Sequence, residues 1–156
     1  DLWYTYYLRG ICYEQSDNWD MAELDFLQSL KIKRNSPNVL NYLAYGWIER
    51  DIRIDESFVM LTDAYEANPD SHYILDSLAW AYFKKKDYIK AAELMEEVID
   101  MVPGEAISLD HLGDIYFAMS RKREAIYFWR QAMDLAKPED GITDKIKVKL
   151  REFDAS

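Results

Sequence analysis

The sequence predicts an all-α protein built from repeated helical hairpins, and three observations carry that reading. The stretch 72–105 places Leu75, Leu78, Ala79 and Tyr82 at i, i+3, i+4 and i+7, then Ala91, Met95 and Val98 on a second helical stripe, and closes at Pro103. The pattern recurs along the chain: Tyr13, Trp47, Tyr82 and Tyr116 hold one slot at a constant spacing, stretched by a single position between Trp47 and Tyr82. Only 5 Gly and 4 Pro punctuate the 156 residues, which favours long helices with short turns over a turn-rich sheet protein.

The first unit spans 3–36. Tyr6, Gly10 and Tyr13 form its first helix and Ala22 and Phe26 its second, with Arg9 where an apolar residue is usual. The second spans 37–71, with Leu40, Leu43, Ala44 and Trp47 followed by Ser57, Leu61 and Ala64, and Pro69 to end it. Its turn, RDIRID, is one residue longer than the others. The third is 72–105, where Asp70 and Ser71 look like the cap before His72. The fourth spans 106–139, with Leu109, Leu112, Gly113 and Tyr116, then Ala125, Trp129 and Ala132, and Pro138 one residue late. Gly10, Ala44, Ala79 and Gly113 are small because the second helix of each hairpin crosses close by. A larger residue there would overpack the crossing by about 1–3 kcal/mol.

Two readings compete for the tail. KIKVKL alternates with period 2, as a strand does. Ile142, Ile146, Leu150 and Phe153 also share one helical face, with Asp140 or Thr143 available as N-cap. A repeat array needs a polar-backed last element, so a capping helix over 142–153 is the expectation.

These slots resemble the tetratricopeptide repeat, W-x₂-L-G-x₂-Y then A-x₃-F then P, four times over residues 3–139. The stretches 41–51, 76–88 and 109–135 resemble the C-terminal repeats of long bacterial, often proteobacterial, members. The resemblance implies a right-handed α-solenoid of four units plus the capping helix, forming a single domain over 1–156, and a protein–protein interaction scaffold rather than an enzyme.

Family grooves lie on the face of each first helix that does not pack on its second. Carried onto this sequence, that face presents Tyr7, Asn38, Asn41, Tyr45, Tyr73, Asp76, Trp80, Lys84, Asp110 and Asp114. An aromatic and acidic concave groove of this kind suits a peptide or partner protein of basic and apolar character. The alternative for Tyr45, Trp80, Phe83 and Phe117 is packing between neighbouring helices. The matching slots Tyr7, Ile11, Tyr42, Tyr73 and Ser77 lack the basic residues with which some relatives clamp the carboxylate tail of heat-shock chaperones, so no such binding is expected.

A second functional reading uses the other end. Leu2, Trp3, Tyr4, Tyr6 and Tyr7 crowd the first helix, which predicts an exposed aromatic edge, a homodimer through it, and a structural or self-assembly role.

Other chemistries find little support. Asp110 and Asp114 share a face, but His111 points elsewhere, so the reading is a solvated acidic face with no metal and no cofactor. There is no phosphate-binding Gly-rich loop, no HExxH and no CxxC. The net charge of −10 disfavours nucleic acid, despite Lys84–Lys86 and Arg121–Arg123 near turns. Cys12, the single cysteine, excludes an internal disulfide and reads as a buried structural thiol. No apolar run is long enough, at about 18 residues, to predict a membrane span. The chain starts at Asp1 inside an aromatic run, so it reads as part of a longer protein whose compartment, cytoplasmic or exported, stays open.

Overall fold

The structure is a computed structural model that describes residues 1–154. It is all-helical among those residues, and its helices pack into two compact units, Asp1–Lys84 and Lys85–Ser156.

The first unit holds α1 (Leu2–Gln15), α2 (Trp19–Ile32), α3 (Pro37–Glu49), α4 (Ile54–Ala67) and α5 (His72–Lys84). Helix α1 pairs with α2 and α3 with α4, while α3 also packs on α2 and α5 on both α3 and α4. Each pairing follows the small slots. A Cβ added to Gly10 would lie 2.7 Å from the Phe26 ring, so glycine there lets α2 close on α1. Phe26 is fully buried with Ala22, Val39 and Leu43, and Trp47 completes that core. Gly46 is a close approach that the repeat slots do not predict: the Trp19 ring fills the place its Cβ would take.

The second unit holds α6 (Tyr88–Met101), α7 (Ala106–Ala118), α8 (Lys122–Leu135) and α9 (Thr143–Phe153), with a short 3₁₀ turn at Pro138–Asp140. Gly113 admits the Trp129 ring as Gly10 admits Phe26. Ala91, Met95 and Val98 are fully buried on α6, as the stripe predicts.

The turns share a device. Asp17, Asp51, Lys86 and Ser120 recur at the repeat spacing, and all adopt the left-handed region, with φ between 55° and 65°. Each reverses the chain after the first helix of a hairpin without needing a glycine. The longer second turn adds a second left-handed residue, Arg53 at φ 48°, which absorbs the extra position. His72 opens α5 as expected, and the Ser71 hydroxyl accepts the Ile74 N–H at 3.4 Å.

The tail is helical, so the strand reading fails. Neither expected residue caps α9. Ile142 precedes it, and Asp140 instead accepts the Lys137 N–H at 2.8 Å within the 3₁₀ turn. Ile146 is fully buried, while Val148, which a two-residue alternation would place on the same face, is 55% exposed. Cys12 is exposed rather than buried. It holds the slot that Gly46 holds one repeat later. The face that Trp19 covers on α3 has no helix over it on α1 among the described residues.

Candidate functional site

In the first unit the predicted groove face is a tyrosine cluster. Tyr4 and Tyr7 lie one turn apart on α1 with ring centroids 5.9 Å apart, and Tyr7 meets Tyr42 of α3 edge-on at 5.7 Å. Burial, then the nearby Tyr42 and Tyr4, push the Tyr7 hydroxyl up to about 12. Tyr42 is also pushed up, first by burial and then by the charges of Glu14 and Tyr73. Tyr73 is 63% exposed at the start of α5, and Asn38 is exposed at the start of α3. Asn41 is half-buried, and its buried Oδ1 has no hydrogen-bond partner among the described residues.

The remaining first-unit candidates have contacts within the unit. Trp80 is 7% exposed, stacks on Phe83 at 4.4 Å and donates its Nε1–H to Glu49 at 2.7 Å. Lys84 bridges to Asp51 at 2.8 Å. Asp76 is buried and Tyr45 half-buried, and both carry polar or ring interactions of their own. Trp3 and Tyr7, expected on an exposed edge, are half-buried against the α2–α3 core, and Lys33 sits 4.0 Å over the Trp3 ring. The exposed apolar residues of α1 are Leu2, Tyr4 and Leu8.

In the second unit, Asp110 and Asp114 face α9. The Lys149 ammonium lies 2.8 Å from Asp110 Oδ1 and 2.7 Å from Asp114 Oδ1. Asp114 also accepts the Trp129 Nε1–H at 3.0 Å. Burial and the neighbouring Asp114 push the Asp110 carboxyl up, against the pull of Lys149. Burial lowers Lys149, but the two carboxylates outweigh it and hold the ammonium above its usual range. Phe153 of α9 packs on Phe117 at 4.3 Å and near Trp129 at 6.0 Å. Among the described residues no group of three or more His, Cys, Asp or Glu side chains is placed to hold a metal ion.

Residues 73–102 match the tetratricopeptide repeat family. A TPR repeat-containing protein of Pseudomonas aeruginosa is 25% identical over 108 residues, which is 69% of this chain and 18% of that protein. The chain thus spans under a fifth of the relative it matches. Among solved structures, MamA AMB-1 superposes over 81% of this chain and 74% of its own, at 21% identity and a TM-score of 0.63. A thermophilic TPR protein of Thermus thermophilus superposes over 95% of this chain and 98% of its own, at 14% identity and a TM-score of 0.64. Residues 73–102 thus carry a tetratricopeptide repeat, and the chain is similar to proteins of that family. The fold is an all-α TPR solenoid, and the bacterial relative agrees with the bacterial character of the repeats.

TPR proteins in general are interaction scaffolds that bind protein partners, and they are generally non-catalytic. No helix among the described residues is long and apolar enough to cross a membrane. Sequence reasoning placed Tyr42 among the groove slots but not among the candidate site residues, and missed it as the centre of the tyrosine cluster. The signal was present in the spacing, since Tyr42 holds the slot of Leu8 in the unit before and Ser77 in the unit after. The helix rotation that turns its ring onto Tyr7 is a tertiary property.

Proposed function

We propose that this TPR segment binds a peptide or a segment of a partner protein on the first-unit face formed by Tyr7, Tyr42, Tyr73, Asn38 and Asn41, and that it carries no catalysis of its own. The observation that supports this reading best is the pairing of rigid aromatic surface with unspent polarity. Tyr73 is 63% exposed beside a packed tyrosine cluster, and the Asn41 carbonyl oxygen lacks a partner among the described residues. Tyrosines supply large contact area at low entropic cost, and a buried acceptor left open costs about 1–3 kcal/mol until a donor arrives. Glu14, close enough to raise Tyr42, adds attraction for a basic side chain. The partner chemistry is therefore apolar with basic or N–H donor groups.

Peptides selected from a random display library against the whole chain test this. The selected sequences should be enriched in Lys, Arg and apolar residues, and should lose about tenfold or more in affinity for Asn38→Ala/Tyr73→Ala. Undiminished binding to that variant, or a selection dominated by acidic C-terminal peptides, would sink the proposal.

A further inference from the structure

The outer face of the first hairpin carries its own specification of a partner. In α3 the tyrosine-slot residue Trp47 donates its Nε1–H to Glu23, on the helix packed before it, at 2.5 Å. In α7 the same slot holds Tyr116, whose hydroxyl donates to Glu96 of α6, again on the preceding helix. Helices α3 and α7 thus hand the polar end of their slot to a carboxylate on the helix before, while Tyr82 of α5 meets Phe58 of α4 edge-on at 4.9 Å. In α1 the slot holds Tyr13. Its ring lies 5.8 Å from the Arg9 guanidinium, and no hydrogen bond reaches its hydroxyl among the described residues.

The surrounding slots agree. Val39 and Leu43 are fully buried on α3, but their α1 counterparts Thr5 and Arg9 are exposed, and Cys12 is exposed where Gly46 is covered by Trp19. Beside them on α2, Met21, Leu24 and Leu27 are 37%, 60% and 36% exposed. A hollow of about 740 Å³ opens between the two helices, floored by these apolar side chains and by Tyr6. Its rim is basic. Arg9 is spent on Asp25, at 2.6 and 2.7 Å, but Lys31 and Arg34 make no ion pair among the described residues.

We infer that this face docks an amphipathic, carboxylate-bearing helix of a partner protein, with leucine-like side chains in the hollow and acidic groups on Tyr13, Lys31 and Arg34. The charge of the rim selects an acidic helix over a basic one. The α2–α3 packing, where a carboxylate and an indole cross onto the equivalent slots, gives the pattern of contact.

The test uses the whole chain and two labelled synthetic amphipathic helices with the same leucine positions, one flanked by Glu and the other by Lys. The Glu helix should bind about tenfold or more tighter than the Lys helix, and added salt should weaken it. Leu24→Asp and Lys31→Glu/Arg34→Glu should each lose about tenfold, while Asn38→Ala/Tyr73→Ala should bind the Glu helix unchanged. Leu24 is on the surface, so its replacement should keep the parent circular dichroism. Equal binding of the two helices, binding of neither, or undiminished binding by Leu24→Asp would overturn the inference. So would a self-dimer in sedimentation that Leu24→Asp dissolves, since a second copy would then be the occupant.

Discussion

Asn41 and Asp110 occupy the same repeat slot in different units, and they end in opposite states. Asn41 is half-buried with an acceptor that nothing among the described residues answers. Asp110 is buried and answered by Lys149, far along the chain on α9. The repeat tends to bury the slot, so the side chain chosen for it decides what must come next. A carboxylate there needs a cation close by, because an uncompensated buried charge costs several kcal/mol. An amide can wait for a ligand at a smaller cost. The second unit has closed its face with a helix of its own, while the first has left its face open.

The closure is strongest in its apolar contacts, and removing one should give the largest effect. Ile146→Ala deletes a fully buried side chain of α9. It should cost about 2–5 kcal/mol in chemical denaturation. A loss under about 1 kcal/mol would mean that α9 is a loose appendage and that the contrast between the two units is smaller than the contacts suggest.

Next in size is the ion pair. Lys149→Met keeps the stem but leaves Asp110 and Asp114 facing each other without a cation. At neutral pH the loss should be about 1–3 kcal/mol. Its pH dependence has a definite sign. The Asp110 carboxyl already sits above its ordinary range, and removing Lys149 removes the groups that pull it down. A raised folded-state carboxyl favours the folded state at low pH and forfeits that advantage as pH rises. The deficit of Lys149→Met should therefore shrink as pH falls through the carboxylate range and be full near neutrality. Adding Asp110→Asn/Asp114→Asn should recover part of the neutral-pH loss. A deficit that grew with acid would contradict the geometry.

Both features bear on what the sequence could say. The repeat slots, the small residues at each crossing and the helical tail were legible because they are periodic, and period is a one-dimensional property. The extra residue in the second turn was legible for the same reason. The Lys149 bridge was not, because α9 belongs to no repeat and its rotation over α7 and α8 is set by Ile146 and Phe153. The inward turn of Trp3 and Tyr7, and the burial of Trp80 against Glu49, depend on how neighbouring helices rotate. Spacing fixes which residues share a stripe, and leaves open whether that stripe meets a helix or a partner.

The smallest effect should come from the open face. Tyr73 is 63% exposed, and its ring lies against His72 of its own helix, with centroids 3.9 Å apart. Asn38 is exposed at a helix start. Asn38→Ala/Tyr73→Ala removes no fully buried group, so stability should move by about 0.5 kcal/mol or less. Tyr73 also contributes to the raised hydroxyl of Tyr42, so its removal should let Tyr42 ionise at slightly lower pH in a tyrosinate absorbance titration. A variant that kept its stability, shifted Tyr42 and lost its partner would separate binding from folding on this face. A large stability loss would place Tyr73 with Trp80 and Asp110, among the residues the fold has already used.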